Sequence, residues 1–343
     1  MANLHAAAAL SLCLSAFTLM NLCRFVAAVD SSVTLWSTVL PNVVLPETLR
    51  QSVSPVEDSQ ISTRFAKALS RGAVFPSMSA EFCDAADLVC EENVKISSYG
   101  LDAEAAAPRA SSIKTINDFQ FDFFLEQNLV VGGEMHLSEN LHDPIPTRAF
   151  LPKVVADSLP PLTTANLPKL RQTFNIADKT SMSTMMGTAA YLCENPALPG
   201  EDKDCPATLT AMAQFVVSQL GPEVQALSTT GAPAHTPTHQ SPVQIESVTK
   251  RSLAEGDHII ICHSIMFPSA LYYCHHVTGT KVVQASLRAS DSSIINAVGI
   301  CHLDTSLWAS EHPAFTALNI PRGAEACHWS TENDVVWVSA GTQ

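Results

Sequence analysis

The sequence predicts an α+β fold: an antiparallel, β-rich C-terminal domain, braced by disulfides and carrying at least one amphipathic helix. Three observations lead there. From residue 257 onward, HIIICHS, SALYYCHHV, TKVVQASL, SIINAVGICH and DVVWV are short runs rich in Val, Ile and Tyr, separated by Gly, Ser, Asp and Pro, as strands and turns are. Ahead of them, ATLTAMAQFVVSQLG places Leu209, Met212, Phe215, Val216 and Leu220 at helical spacing, with Gly221 as a stop signal. An even set of cysteines follows residue 28, and one helix mixed with such runs gives the α+β class.

The chain has 343 residues, 46% hydrophobic and 15% charged, which is too apolar for a wholly disordered polypeptide and long enough for a substantial core. Its 19 Lys and Arg against 33 Asp and Glu leave a net charge of −14, which repels nucleic-acid phosphate and excludes nucleic acid as an expected partner.

Residues 6 to 20, AAAALSLCLSAFTLM, form an apolar run of signal-peptide length, and Val26-Ala27-Ala28 fits the small-residue cleavage rule. A signal peptide over 1–28 is expected, with no stable membrane span after its removal, since no later stretch holds 18 uninterrupted apolar residues. Export to an oxidising compartment makes disulfides the expected state of Cys83, Cys90, Cys193, Cys205, Cys262, Cys274, Cys301 and Cys327.

Residues 29 to 119 carry Ser and Ala clusters such as AEAAAPRASS and no repeat, and are expected to form a short N-terminal element and a variable, loosely structured leader. At FDFFLEQNLVVGGEMHL the texture turns aromatic and aliphatic, placing a domain over 120–343. Cys193 and Cys205 bracket a turn-rich loop that they are placed to staple. STTGAPAHTPTHQSPVQ reads as an exposed loop; His235 and His239 sit four apart in it, but Pro237 between them argues against a helix aiming both at one metal.

The most informative pattern is Cys262-His263, Cys274-His275, Cys301-His302 and Cys327-His328, separated by 10, 25 and 24 residues, with Trp337 after eight more. Random placement of ten Cys and twelve His would give about 0.35 such dipeptides, not four. Neighbouring strand residues face opposite sides of a sheet, so each dipeptide sends its sulfur one way and its imidazole the other. Positions 262 and 274 are symmetric about Pro268, so a turn near Met266 to Ser269 sets the first two dipeptides side by side. The sulfurs of the four dipeptides allow three pairings, and the spacing alone does not choose among them. Four neutral imidazoles suit copper or zinc. Asp304, two residues past His302, is a candidate carboxylate to fix one ring's tautomer. His276 is expected to be an outward strand residue, and Trp308, Trp329 and Trp337 to be buried anchors.

The arrangement CH-x10-CH-x25-CH-x24-CH-x8-W resembles the signature of the plant BURP domain. Phe123-Phe124 with Leu125, FLPKVVADSLP, CENP, GEDKDC, CHLDTSLW and HPAF are similar to further blocks of that domain, and LWSTVLPN to the short element after its signal peptide. The resemblance implies an exported plant protein of cell wall, apoplast or vacuole, with a non-catalytic role in development or stress response and a cell-wall polysaccharide or wall protein as partner. It also implies a copper site on His263, His275, His302 and His328. Some members are copper-dependent peptide cyclases that act on their own leader; Tyr99 and Trp36 are the crosslinkable aromatics before the domain here. Motifs of ordinary hydrolases, zinc proteases and nucleotide-binding proteins do not occur.

Overall fold

The computed structural model describes residues 31–91, 122–137, 141–142, 146–197, 199–232, 242–251, 259–277 and 279–340. The expected signal peptide, Tyr99, His235 and His239 lie outside them. In chain order the helices are α1 (Ser31–Val39), α2 (Glu47–Gln51), α3 (Gln60–Ser70), α4 (Pro76–Ala85), α5 (Lys153–Ala156), α6 (Leu167–Thr173), α7 (Ser181–Glu194), α8 (Leu209–Leu220) and α9 (Pro313–Ala317). The strands are β1 (Phe123–Phe124), β2 (Glu134–Met135), β3 (Lys203–Asp204), β4 (Val224–Leu227), β5 (Val243–Arg251), β6 (Ile259–Ser264), β7 (Tyr272–Val277), β8 (Thr280–Arg288), β9 (Ile294–His302), β10 (Ala326–Trp329) and β11 (Val335–Ser339).

Two antiparallel sheets form the C-terminal part, one in the order β1-β10-β9-β8-β5-β2 and the other β3-β7-β6-β11-β4. Period-two alternation divides each strand's side chains between two layers. Ile259, Ile261, Val336 and Val338 of the second sheet meet Val282, Val298 and Ile300 of the first in a shared apolar layer between the sheets. The opposite face of the second sheet carries Ile260, Cys262, Tyr272, Cys274, Val335 and Trp337, and is covered by α8 and α1. The opposite face of the first carries Val283, Ala285, Leu287, Ile295, Ala297, Cys301, Cys327 and Trp329. Gly299 is needed there, because a Cβ on it would come within 2.8 Å of Val283 Cγ2 and 2.9 Å of the Trp329 ring.

Helix α8 spans the expected segment. The Thr208 side chain caps its start by accepting from the Ala211 amide, and Gly221 ends it with φ of 76°. Leu209, Met212 and Val216 form its buried face. Helix α7 was not apparent from sequence: SMSTMMGTAAYLCE is built of small residues and Met with little amphipathic contrast, and its start is fixed by Thr180, which accepts from the Ser183 amide.

The expectation of a loosely structured leader is corrected for residues 31–91. They form α1 to α4, and their apolar faces enter the same cores as the sheets. Trp36, 1% exposed, lies with its ring centroid 5.7 Å from that of Trp337. Phe65 and Phe82 stack at 4.1 Å within a cluster that includes α6, α7 and the loop after β6. Main-chain bonds fasten the segment as well: the Phe150 amide donates to Ser52 O at 2.7 Å, the Val89 amide to Pro268 O at 2.8 Å, and the Ala149 amide to Asp87 O at 2.9 Å. The Ser-rich composition that suggested looseness includes a cap, since Ser59 accepts from the Ser62 amide to start α3.

The β6–β7 connection turns where the symmetry about Pro268 put it, with Cys262 directly opposite Cys274. Buried Arg148 holds this loop from inside. Its Nε donates to Phe267 O and Ser269 O at 3.0 and 3.1 Å, and its Nη2 to Ile265 O at 2.7 Å and Ser264 Oγ at 3.4 Å.

Two outcomes test this packing. Trp36→Ala is expected to lower stability by about 3–5 kcal/mol in urea unfolding, with the helices and sheets still melting together; a loss under about 1 kcal/mol would show α1 to be a peripheral attachment. Arg148→Met is expected to cost about 3 kcal/mol by stranding the loop carbonyls. Arg148→Lys should recover less than half, because an ammonium lacks the planar fork that spans several acceptors.

Candidate metal centre

Each Cys-His dipeptide lies on a central strand, and alternation separates its two side chains as the sequence implied. Cys262 bonds to Cys274 on the outer face of one sheet, and Cys301 to Cys327 on the outer face of the other. Cys83–Cys90 and Cys193–Cys205 complete the four disulfides among the described residues, the second stapling the loop it brackets. The structure thus settles the pairing that spacing left open.

In both hairpins the cysteines, not the histidines, are directly opposite. His263 pairs in register with Tyr273, and His275 with Ile261; His302 pairs with Ala326, and His328 with Ile300. The two imidazoles of each pair are therefore diagonal neighbours, roughly 7–8 Å apart and somewhat less between Cβ atoms, instead of the about 4.5–5.5 Å of a direct pair. That wider stance suits rings of imidazole size, which reach inward toward a common space without colliding.

The four rings form a chain at one end of the inter-sheet layer. Ring centroids are 5.6 Å apart for His275 and His263, 6.3 Å for His263 and His328, and 5.5 Å for His328 and His302. The middle step crosses from one sheet to the other. His302 Nε2 and His328 Nε2 approach to 3.4 Å, and two nitrogens bound at about 2.0–2.1 Å from one ion at tetrahedral angles stand about 3.3–3.4 Å apart. Among the described residues no group of three donors is drawn in around a single point; the arrangement is a gathered donor set, not a closed coordination shell. Its chemistry, neutral imidazoles in a largely buried layer, fits copper or zinc.

Aromatic rings flank both ends. Tyr273 lies 5.1 Å from His275, and Trp308 lies 5.0 Å from His302, with His312 4.1 Å beyond Trp308. Trp308, Trp329 and Trp337 are buried, as expected of core anchors. Phe123 and Phe124 pair in register with His328 and Cys327, and Phe124 stacks on Trp329 at 4.6 Å, so the paired phenylalanines buttress the last dipeptide. His276, expected to face outward, is 7% exposed, because its amide donates to Asp202 O at 2.8 Å and the segment before β3 covers that position.

The carboxylates beside the rings are not the one the sequence picked out. Asp304 is exposed and turned to its own loop, where Oδ1 accepts from the Ser306 amide at 2.8 Å; that bond, with the Ser306 side chain, holds its carboxyl below the ordinary range. Asp334 Oδ2 instead stands 3.4 Å from His263 Nδ1, and Glu201 Oε2 stands 3.8 Å from His275 Nδ1. Burial pushes the Asp334 carboxyl up, but the attraction of His263 and the Ser264 and Thr331 amides, each 3.0 Å away, outweigh it and hold it below its usual value. Lys203 lies at the same edge, its Nζ donating to Leu192 O and standing 5.4 Å from the Tyr273 ring centroid; burial pushes it down and Glu201 opposes this. Asp334 and Glu201 carried no sequence signal, since neither adjoins a Cys-His dipeptide.

Comparison with known proteins adds a family. The chain is similar to a polygalacturonase non-catalytic subunit of Solanum lycopersicum, AroGP3, at 34% identity over 221 residues, covering 64% of this chain and 34% of that one. It is 34% identical over 221 residues to BURP domain-containing protein 12 of Oryza sativa subsp. japonica, again over 64% of this chain and 34% of the other. With the BURP domain protein RD22 of Arabidopsis thaliana it shares 33% over 220 residues, covering 63% and 55%. The chain therefore spans about a third of the length of the first two relatives. A family model described as the BURP domain matches residues 122–339, which hold both sheets and all four dipeptides, and the chain belongs to the BURP-domain family.

Proposed function

We propose that this chain is an exported BURP-domain protein of the plant cell wall or apoplast, with a non-catalytic, partner-binding role and a four-histidine centre for copper or zinc. The observation that carries the metal reading is the 3.4 Å approach of His302 Nε2 and His328 Nε2, with His263 next along the chain of rings from the facing sheet. His263, His275, His302 and His328 would hold the ion. Copper bound there would supply one-electron chemistry, and either metal would tie the two sheets together.

The non-catalytic reading draws support from relatives named as polygalacturonase non-catalytic subunits and from the placement of Trp36. That ring is packed with Trp337 on the outer face of the second sheet, so the sheet itself lies between it and the imidazoles. A wall protein such as a polygalacturonase catalytic chain, or a wall polysaccharide, is the proposed partner class. Among the described residues no helix is long and apolar enough to cross a membrane.

Metal analysis of the secreted protein, paired with intact mass, tests the proposal. The expected result is near one equivalent of copper or zinc, lost in His302→Ala, and a mass lowered only by the hydrogens given up in disulfide formation. An ion at 100 times its dissociation constant should stabilise the fold by about 2.7 kcal/mol. Absence of retained metal would remove the centre. A further loss of two hydrogens mapped to Tyr99 or Trp36 would replace the non-catalytic reading with self-cyclisation.

A further inference from the structure

We propose that Asp334 and Glu201 are positioning residues of this centre, orienting His263 and His275 so that each offers Nε2 to a divalent cation. The inference rests on the metal reading above and assigns a direction to every ligand for which the structure supplies a contact.

The argument starts from what an imidazole can do. A neutral ring has one N–H and one lone pair, and the group facing one nitrogen decides which nitrogen is left to bind a metal. An ionised carboxylate and a backbone carbonyl can only accept, so a nitrogen turned to either must carry the hydrogen. His263 Nδ1 faces Asp334 Oδ2 at 3.4 Å, His275 Nδ1 faces Glu201 Oε2 at 3.8 Å, and His328 Nδ1 faces Trp329 O at 3.4 Å. Three of the four rings thus turn Nδ1 toward an acceptor. The fourth, His302, already directs Nε2 at His328 Nε2. One rule, Nδ1 toward an acceptor and Nε2 toward the ion, accords with each of these contacts.

Asp334 is the firmer support. It is 5% exposed, and its two oxygens accept from the Ser264 and Thr331 amides at 3.0 Å each, which fixes the carboxylate before any ring meets it. Ser264 directly follows His263, and its hydroxyl accepts from Arg148, so ligand, carboxylate and loop are braced together. Glu201 is the weaker support, because its contact is longer and Lys203 also draws on its charge. Both contacts need only small movements to become hydrogen bonds of ordinary length. Two carboxylates behind neutral imidazoles also match the two positive charges of a divalent ion, which lowers the cost of placing it in a buried layer.

The tautomers can be read first, in metal-free, 15N-labelled wild-type protein, by long-range 1H–15N correlation. His263, His275 and His328 are expected as Nδ1–H; Nε2–H at His263 and His275 would overturn the proposal without any substitution. Copper(II) and zinc(II) are then titrated by competition into wild type, Asp334→Asn, Glu201→Gln and Asp334→Glu. The Asn and Gln variants should bind 10- to 100-fold more weakly, with an altered nitrogen pattern in the copper EPR spectrum, and Asp334→Glu should recover part of the loss. Variants that bind as wild type with an unchanged spectrum overturn the positioning roles and leave the centre standing. A wild type that binds neither metal overturns both.

Discussion

The structure depends on one constraint: a disulfide between directly opposed residues of an antiparallel pair locks the register of that pair. Because the next residue on each strand must face the other way, locking the cysteines also fixes where both following histidines emerge, on the far side of the sheet and diagonal to each other. A slip of one residue would exchange the two faces, burying imidazoles under α8 and sending sulfurs between the sheets. The same device occurs once in each sheet, so two locked hairpins present two diagonal imidazole pairs to a shared layer. Stabilisation and site geometry are therefore one feature: the bridge across 26 residues from Cys301 to Cys327 restrains the unfolded chain by roughly 3–4 kcal/mol in loop entropy while it aims His302 and His328.

Local patterning made much of this legible. The split of sulfur and imidazole, the Cys262–Cys274 hairpin and helix α8 all follow from periods of 2 and 3.6 acting over fewer than about fifteen residues. What the sequence left unread is non-local. The apolar faces of α1 to α4 are short and interrupted by Ser and Ala, and become meaningful only against Trp337, Phe267 and their neighbours, which come roughly two to three hundred residues later. Helix α7 lacks a marked apolar stripe because it is covered on several sides. The supporting carboxylates show the same limit. Asp304 is near His302 in sequence, but the strand ends there and the chain turns away into a loop. Asp334 reaches His263 because β11 pairs beside β6, a relation that no dipeptide spacing encodes.

The placement of the histidines is itself an energetic argument. The layer between the sheets is otherwise Leu, Ile and Val, and continuing it with apolar side chains would satisfy packing without any demand for hydrogen-bond partners. His275 and His302 are buried and His263 and His328 partly so, and a buried imidazole needs acceptors and donors supplied to it or costs free energy of order 1–3 kcal/mol. The fold sets a carboxylate 3.4 Å from His263, a carboxylate 3.8 Å from His275 and a carbonyl 3.4 Å from His328, all on the Nδ1 side. A set of rings kept only for structure would gain as much from partners at either nitrogen. Placing imidazoles with acceptors beside Nδ1 in a layer that apolar side chains could fill gives back part of the stability that local rules would otherwise collect, and such departures are where natural sequences place function.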